Sequence, residues 1–155
     1  MTKFLLAVHV LAAIVAIGPV TVAASMLPVA ARRAQAASPD ASSLATVRLL
    51  HRICRVYAVI ALTVPVFGFA TASSLGVLGD TWLIVSIVLT AVAAAVLALL
   101  VLPRQDALLA QLDAGSPPVE RSTTVRLAML TGVFNLLWAA VTVLMIIRPG
   151  STTGA

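Results

Sequence analysis

The sequence predicts an all-α fold, one integral membrane domain built as a four-transmembrane-helix bundle, and three observations carry that prediction. Hydrophobic residues make up 61% of the 155 residues and charged residues 10%, with a mean hydropathy of +1.13. No water-soluble domain of this length could hide so much apolar surface. The apolar residues fall into four long runs without the polar face that a 3.6 or 2 period would give a soluble element. The basic residues border those runs instead of forming an aromatic-interleaved patch, so the net charge of +5 is a topology signal and excludes nucleic acid as a partner.

The first run covers residues 4–27, the second 53–75, the third 82–102 and the fourth 127–147. Each supplies the ~20 residues that a helix needs to cross about 30 Å of hydrocarbon. Helices are the expected spanning structure, because no alternation of the outer-membrane strand type is present. Pro19 and Pro65 lie inside their spans, each removing a backbone donor, and predict kinks. Polar loops are expected at 28–52, which holds Ser38, Pro39 and Asp40, and at 103–126, which holds the Gly115-Ser116-Pro117-Pro118 turn. The connection at 76–81 is short, so spans two and three form a tight antiparallel hairpin.

Arg32, Arg33, Arg48, Arg52, Arg55, Arg104, Arg121 and Arg126 lie in or beside the two long loops, whereas Lys3 and Arg148 lie at the other ends. The positive-inside rule then places loops 28–52 and 103–126 in the cytoplasm and both termini outside. The abundance of alanine and arginine suggests a bacterial inner (plasma) membrane. A cleaved signal peptide ending near Val22-Ala23-Ala24-Ser25 is the competing reading of the first run; it would put the five-arginine loop outside. The run is longer than a usual signal core and holds His9 and Pro19.

In lipid, helices associate through small residues and a few polar contacts. Ala12, Ala13, Ala16 and Ala23 on the first helix, Ala61, Gly68 and Ala72 on the second, and Ser86, Thr90, Ala93 and Ala94 on the third form such faces. On the fourth, Thr131, Asn135, Trp138 and Thr142 recur at i, i+4, i+7 and i+11, and are expected to point inward as interior polar packing.

All five acids, Asp40, Asp80, Asp106, Asp113 and Glu120, are assigned to loops, which disfavours a proton-coupled exporter that needs an embedded carboxylate. The lone Cys54 has no disulfide partner and reads as a small apolar filler. His9 is the one titratable residue within the hydrocarbon, roughly 8 Å below the outer boundary. Hydrocarbon favours the uncharged imidazole, which suits a haem or copper ligand; the competing expectation is an inter-helix hydrogen bond to a hydroxyl such as Thr71 or Ser73, or to a backbone carbonyl of a neighbouring helix. His51 lies in the opposite leaflet, roughly 25 Å away, so the two cannot ligate one haem within a chain. Arg48, His51, Arg52 and Arg55 form a stripe at i, i+3, i+4 and i+7, read as a face contacting lipid phosphates or another anion.

The opening Lys3-Phe4, His9-Val10-Leu11-Ala12-Ala13-Ile14-Val15 and Gly18, with Arg48, Arg52, Pro65, Gly68 and Trp82 further on, resembles domain-of-unknown-function family twenty-two sixty-nine, a bacterial family of predicted integral membrane proteins. The first helix is also similar to that of the copper-resistance D family and of HemJ-type protoporphyrinogen oxidases. That similarity implies a ligand role for His9 alone. Ala16 stands where a tryptophan is common there, and Pro19 follows Gly18 instead of a second glycine.

Three functions follow as expectations. The first is a non-catalytic accessory or interaction subunit of a membrane complex, with membrane-protein partners or a homo-oligomer. The second is a haem-binding or redox membrane protein using His9. The third is a small copper or solute permease.

Overall fold

The computed structural model describes residues 2–35, 41–115 and 119–150. Among these, α1 (Thr2–Ala34), α2 (Ala41–Ile60), α3 (Thr63–Leu75), α4 (Thr81–Ala95), a π-helical segment (Val96–Val101), α5 (Leu102–Asp113) and α6 (Arg121–Ile147) make four long rods. Four stretches, Lys3–Ala34, Ser42–Leu75, Thr81–Asp113 and Arg121–Ile147, are long and apolar enough to cross a membrane, with mean hydropathies of 1.9 to 2.9. Only 11–22% of their most apolar windows is buried inside the bundle. Large side chains such as Phe4, Val59, Val66, Leu99, Leu136 and Ile147 face outward, as a lipid solvent requires.

The residues expected as long polar loops are mostly helix. α1 runs on to Ala34, α2 starts at Ala41, α5 runs to Asp113 and α6 starts at Arg121. These stretches are rich in Ala, Leu, Arg and Gln, strong helix formers whose polarity sets where the lipid ends without ending the helix. Ser38, Pro39, Asp40, Ser116, Pro117, Pro118 and the tail beyond Gly150 lie outside the described residues.

Pro19 does not interrupt α1, which also passes through Pro28. Pro65 does separate α2 from α3. It has no N–H for the Ala61 carbonyl, so the Val64 N–H turns to that carbonyl at 3.1 Å, and the Thr63 hydroxyl takes up the Ile60 carbonyl at 2.7 Å. The hairpin between α3 and α4 is closed by a Schellman turn: Gly76 sits at φ 71°, and the N–H groups of Gly76 and Val77 reach Ser73 and Ala72.

The larger core lies toward the arginine-rich end, where α1, α2, α5, the π segment and α6 enclose Val20, Ala24, Leu27, Val47, Cys54, Val101, Leu108, Leu127 and Phe134. Ala16, Ala23, Ser86 and Ala93 of the small-residue faces are buried, while Ala94 is exposed. Toward the Gly76 end, α3 packs on α1 and α4 on α6, but α3 has little contact with α4 or α6. The two helix pairs therefore part there, leaving a cavity above a small cluster of Ala72, Trp82 and Leu83.

Candidate functional site

The cavity between α1, α3, α4 and α6 has a volume of about 870 Å³, and its walls are almost wholly apolar. His9 lines it while being only 8% exposed. Its position follows from Gly68: a Cβ built there would stand 3.0 Å from His9 Cε1, so only a glycine on α3 lets the ring lie this close. His9 Nδ1 lies 3.0 Å from the Val64 carbonyl oxygen. A carbonyl only accepts, so Nδ1 carries the hydrogen and donates. In the uncharged ring Nε2 is then an acceptor with no partner among the described residues.

Of the two kinds of partner expected for His9, a backbone carbonyl of a neighbouring helix is used and a hydroxyl of Thr71 or Ser73 is not. Thr71 Oγ1 donates to its own helix at Phe67, 2.7 Å away, and Ser73 is exposed. The backbone carbonyl of α3 is nearer because Gly68 admits the ring against the helix surface. At the Gly76 end, Arg148 lies 5.6 Å from the Trp82 ring centroid, and the Trp82 indole N–H donates to Asp80 Oδ2 at 2.9 Å.

The basic stripe is drawn against α5. His51 is buried, with Nδ1 3.2 Å from Gln105 Oε1 and Nε2 2.9 Å from Asp106 Oδ1. Arg48 donates to Asp113 Oδ1 through Nε at 3.2 Å and Nη2 at 2.7 Å, and Arg55 Nη1 stands 3.9 Å from Asp106. Gln105 Nε2 donates weakly to Cys54 Sγ at 3.6 Å. Arg52 is exposed and has no ion pair among the described residues. Three members of the stripe thus tie α2 to α5, because α5 continues the third rod and brings Asp106 and Asp113 alongside.

On α6, Thr131 is buried and Asn135 half-buried, and Asn135 Nδ2 donates to Ser25 Oγ of α1 at 3.1 Å. Thr131 Oγ1 and Asn135 Oδ1 are sealed from solvent without a partner among the described residues. Thr142 departs from the inward expectation: it is exposed, and its hydroxyl donates to Trp138 of the same helix. It shares the stripe's face, but at its level the helix pairs have separated and that face borders the cavity.

Sequence reading missed Gln105, Asp106, Asp113, Ser25 and the Val64 carbonyl as partners. For the first three a signal exists: Gln105, Leu108 and Leu112 recur at helical spacing after Pro103, a residue favoured at a helix start. Val64, as a backbone acceptor, gives none. Among the described residues no group of three or more His, Cys, Asp and Glu side chains could hold a metal ion, so a metal at His9 would need ligands from elsewhere.

No curated protein and no solved structure matches the chain. A family model described as predicted integral membrane protein (DUF2269) matches residues 3–149. With four apolar rods and a match over nearly its whole length, the chain belongs to the DUF2269 family of integral membrane proteins.

Proposed function

We propose that this protein is a membrane-embedded binding protein of the cofactor or redox kind, in which His9 fixes one apolar molecule in the cavity between α1, α3, α4 and α6. The carrying observation is the His9 Nδ1 to Val64 hydrogen bond of 3.0 Å, which orients the ring and leaves Nε2 available at the wall of a cavity large enough for such a ligand. Backbone anchoring of one ring nitrogen is how proteins prepare the other as a ligand. His9 would hold a haem through Nε2, and Arg148 at the cavity wall would meet a carboxylate. Haem would supply electron-transfer chemistry; the chain's own residues bind it, orient it and exclude water. Copper is less well served, since one imidazole is the whole donor set in view.

In this reading the arginine-rich end faces the cytoplasm of a bacterial cell and both termini lie outside, on the eight-to-two division of basic residues. The test uses the two tryptophans, Trp82 and Trp138, which both line the cavity and are the only ones in the chain. Haemin and membrane-soluble aromatic molecules are titrated into the purified protein. Quenching of tryptophan fluorescence by at least one of them, weakened in His9→Ala, supports the reading, and haem adds a Soret band. No quenching by any, or quenching indifferent to His9, overturns it.

A second reading, a non-catalytic accessory subunit, is favoured by α3, which packs mainly on α1 and leaves Val66, with Leu62 at its start, uncovered away from the cavity. Co-purification of a stoichiometric membrane partner, lost on Val66→Ser, would support it.

A further inference from the structure

Resting on the reading of the His9 cavity as a ligand site, we propose that its ligand is a membrane-soluble phenol or hydroquinone whose ring hydroxyl donates to His9 Nε2. The polarity of the cavity wall at this level carries the argument. His9 Nδ1 has its hydrogen on Val64, so the uncharged ring presents a lone pair. Thr71, one turn along α3 from Gly68, has its hydroxyl hydrogen on Phe67 at 2.7 Å and so presents an oxygen lone pair. Thr90 and Thr142 have theirs on Ser86 and Trp138, at 2.7 and 3.0 Å. The wall around His9 therefore offers acceptors.

A ligand carbonyl would meet lone pairs there, whereas a hydroxyl would complete His9, which is more than nine-tenths buried and whose Nε2 has no partner among the described residues. The donors left free stand elsewhere: Thr21 is three turns further along α1, about 18 Å away, and Arg148 is beside Trp82 at the Gly76 end. Phe69, Trp82 and Trp138 supply faces for an aromatic ring, and the aliphatic remainder suits a hydrocarbon tail.

The experiment compares a decyl-substituted benzohydroquinone, its dimethyl ether and the parent quinone on the full-length protein, without oxygen, reading tryptophan fluorescence and thermal stability. The hydroquinone should bind about tenfold more tightly than the ether, the worth of one buried hydrogen bond. That preference should vanish in His9→Leu and shrink in Thr71→Val. Equal affinities for all three would overturn the donor-headed ligand while leaving the cavity reading standing; a preference for the quinone would overturn it by making His9 a donor. A long-chain alcohol binding as tightly as the hydroquinone would overturn the aromatic class. Failure of every compound to bind would remove both proposals together.

Discussion

Replacing Gly68 by alanine perturbs one contact, that between α3 and the His9 ring, and the structure sets its size. The new methyl carbon would stand 3.0 Å from Cε1 and 3.4 Å from Nδ1, closer than ordinary van der Waals packing. The ring must withdraw, which stretches the 3.0 Å bond to Val64. Overpacking costs about 1–3 kcal/mol and the lost hydrogen bond about 1 kcal/mol, against about 1 kcal/mol gained from alanine's helix propensity. The net effect is a destabilisation of about 1–3 kcal/mol. In a His9→Ala background the clash is gone and only the propensity gain remains, so the same substitution should stabilise by about 1 kcal/mol. The sign therefore reverses, a coupling of about 2–4 kcal/mol in a double-mutant cycle. Reversible unfolding in mixed detergent micelles reads all four species. If Gly68→Ala has the same effect with and without His9, the ring does not lie against Gly68 and the account of its anchoring is wrong.

Gln105→Leu removes the acceptor facing His51 and the donor facing Cys54, and should cost about 1–3 kcal/mol in the same unfolding assay, because His51 stays buried with one partner fewer. Arg48→Gln, in contrast, breaks an exposed ion pair and should cost less than about 1 kcal/mol, an effect further reduced in high salt. Thr131→Val deletes a sealed hydroxyl without a partner while keeping its shape, and a rise in stability of about 1 kcal/mol is expected; a loss would mean that the hydroxyl has a partner after all. For orientation, in a Cys54→Ala background, a cysteine at Gly79 should react with an impermeant reagent in intact cells and one at Gln35 should not, and the reverse pattern would invert the topology.

The four rods were legible because each carries an uninterrupted apolar run, and hydropathy at the scale of ~20 residues needs no knowledge of neighbours. Their ends were not, because polarity marks where lipid stops and says little about where a helix stops: 103–113 and 41–52 are polar and helical at once. His9 was legible as an exception, a titratable group in an apolar run. Its partner was not, because backbone carbonyls leave no mark in a sequence. The stripe Arg48, His51, Arg52 and Arg55 was legible as one face, yet what it faces depends on α5 arriving alongside, a long-range fact. Thr142 failed for a related reason, since a stripe gives a direction and only the neighbouring helices decide whether anything covers it.

The π segment at Val96–Val101 has a consequence for the angular phase of the third rod. Its buried residues there, Ala93, Leu97, Val101 and Gln105, are spaced by four throughout, a rhythm that a regular α-helix would carry round its axis by about 40° at each step. The wider turn absorbs that drift, so Gln105 still arrives opposite His51 and Cys54. Deleting one residue together with the wide turn would leave the phase in place, whereas closing the segment into ordinary α geometry at its present length would swing everything beyond it by about 100°. Asp106 and Asp113 would then turn away from Arg55, His51 and Arg48 together. The wide turn in this stretch, more than the identity of its aliphatic side chains, keeps the two ends of the rod in step.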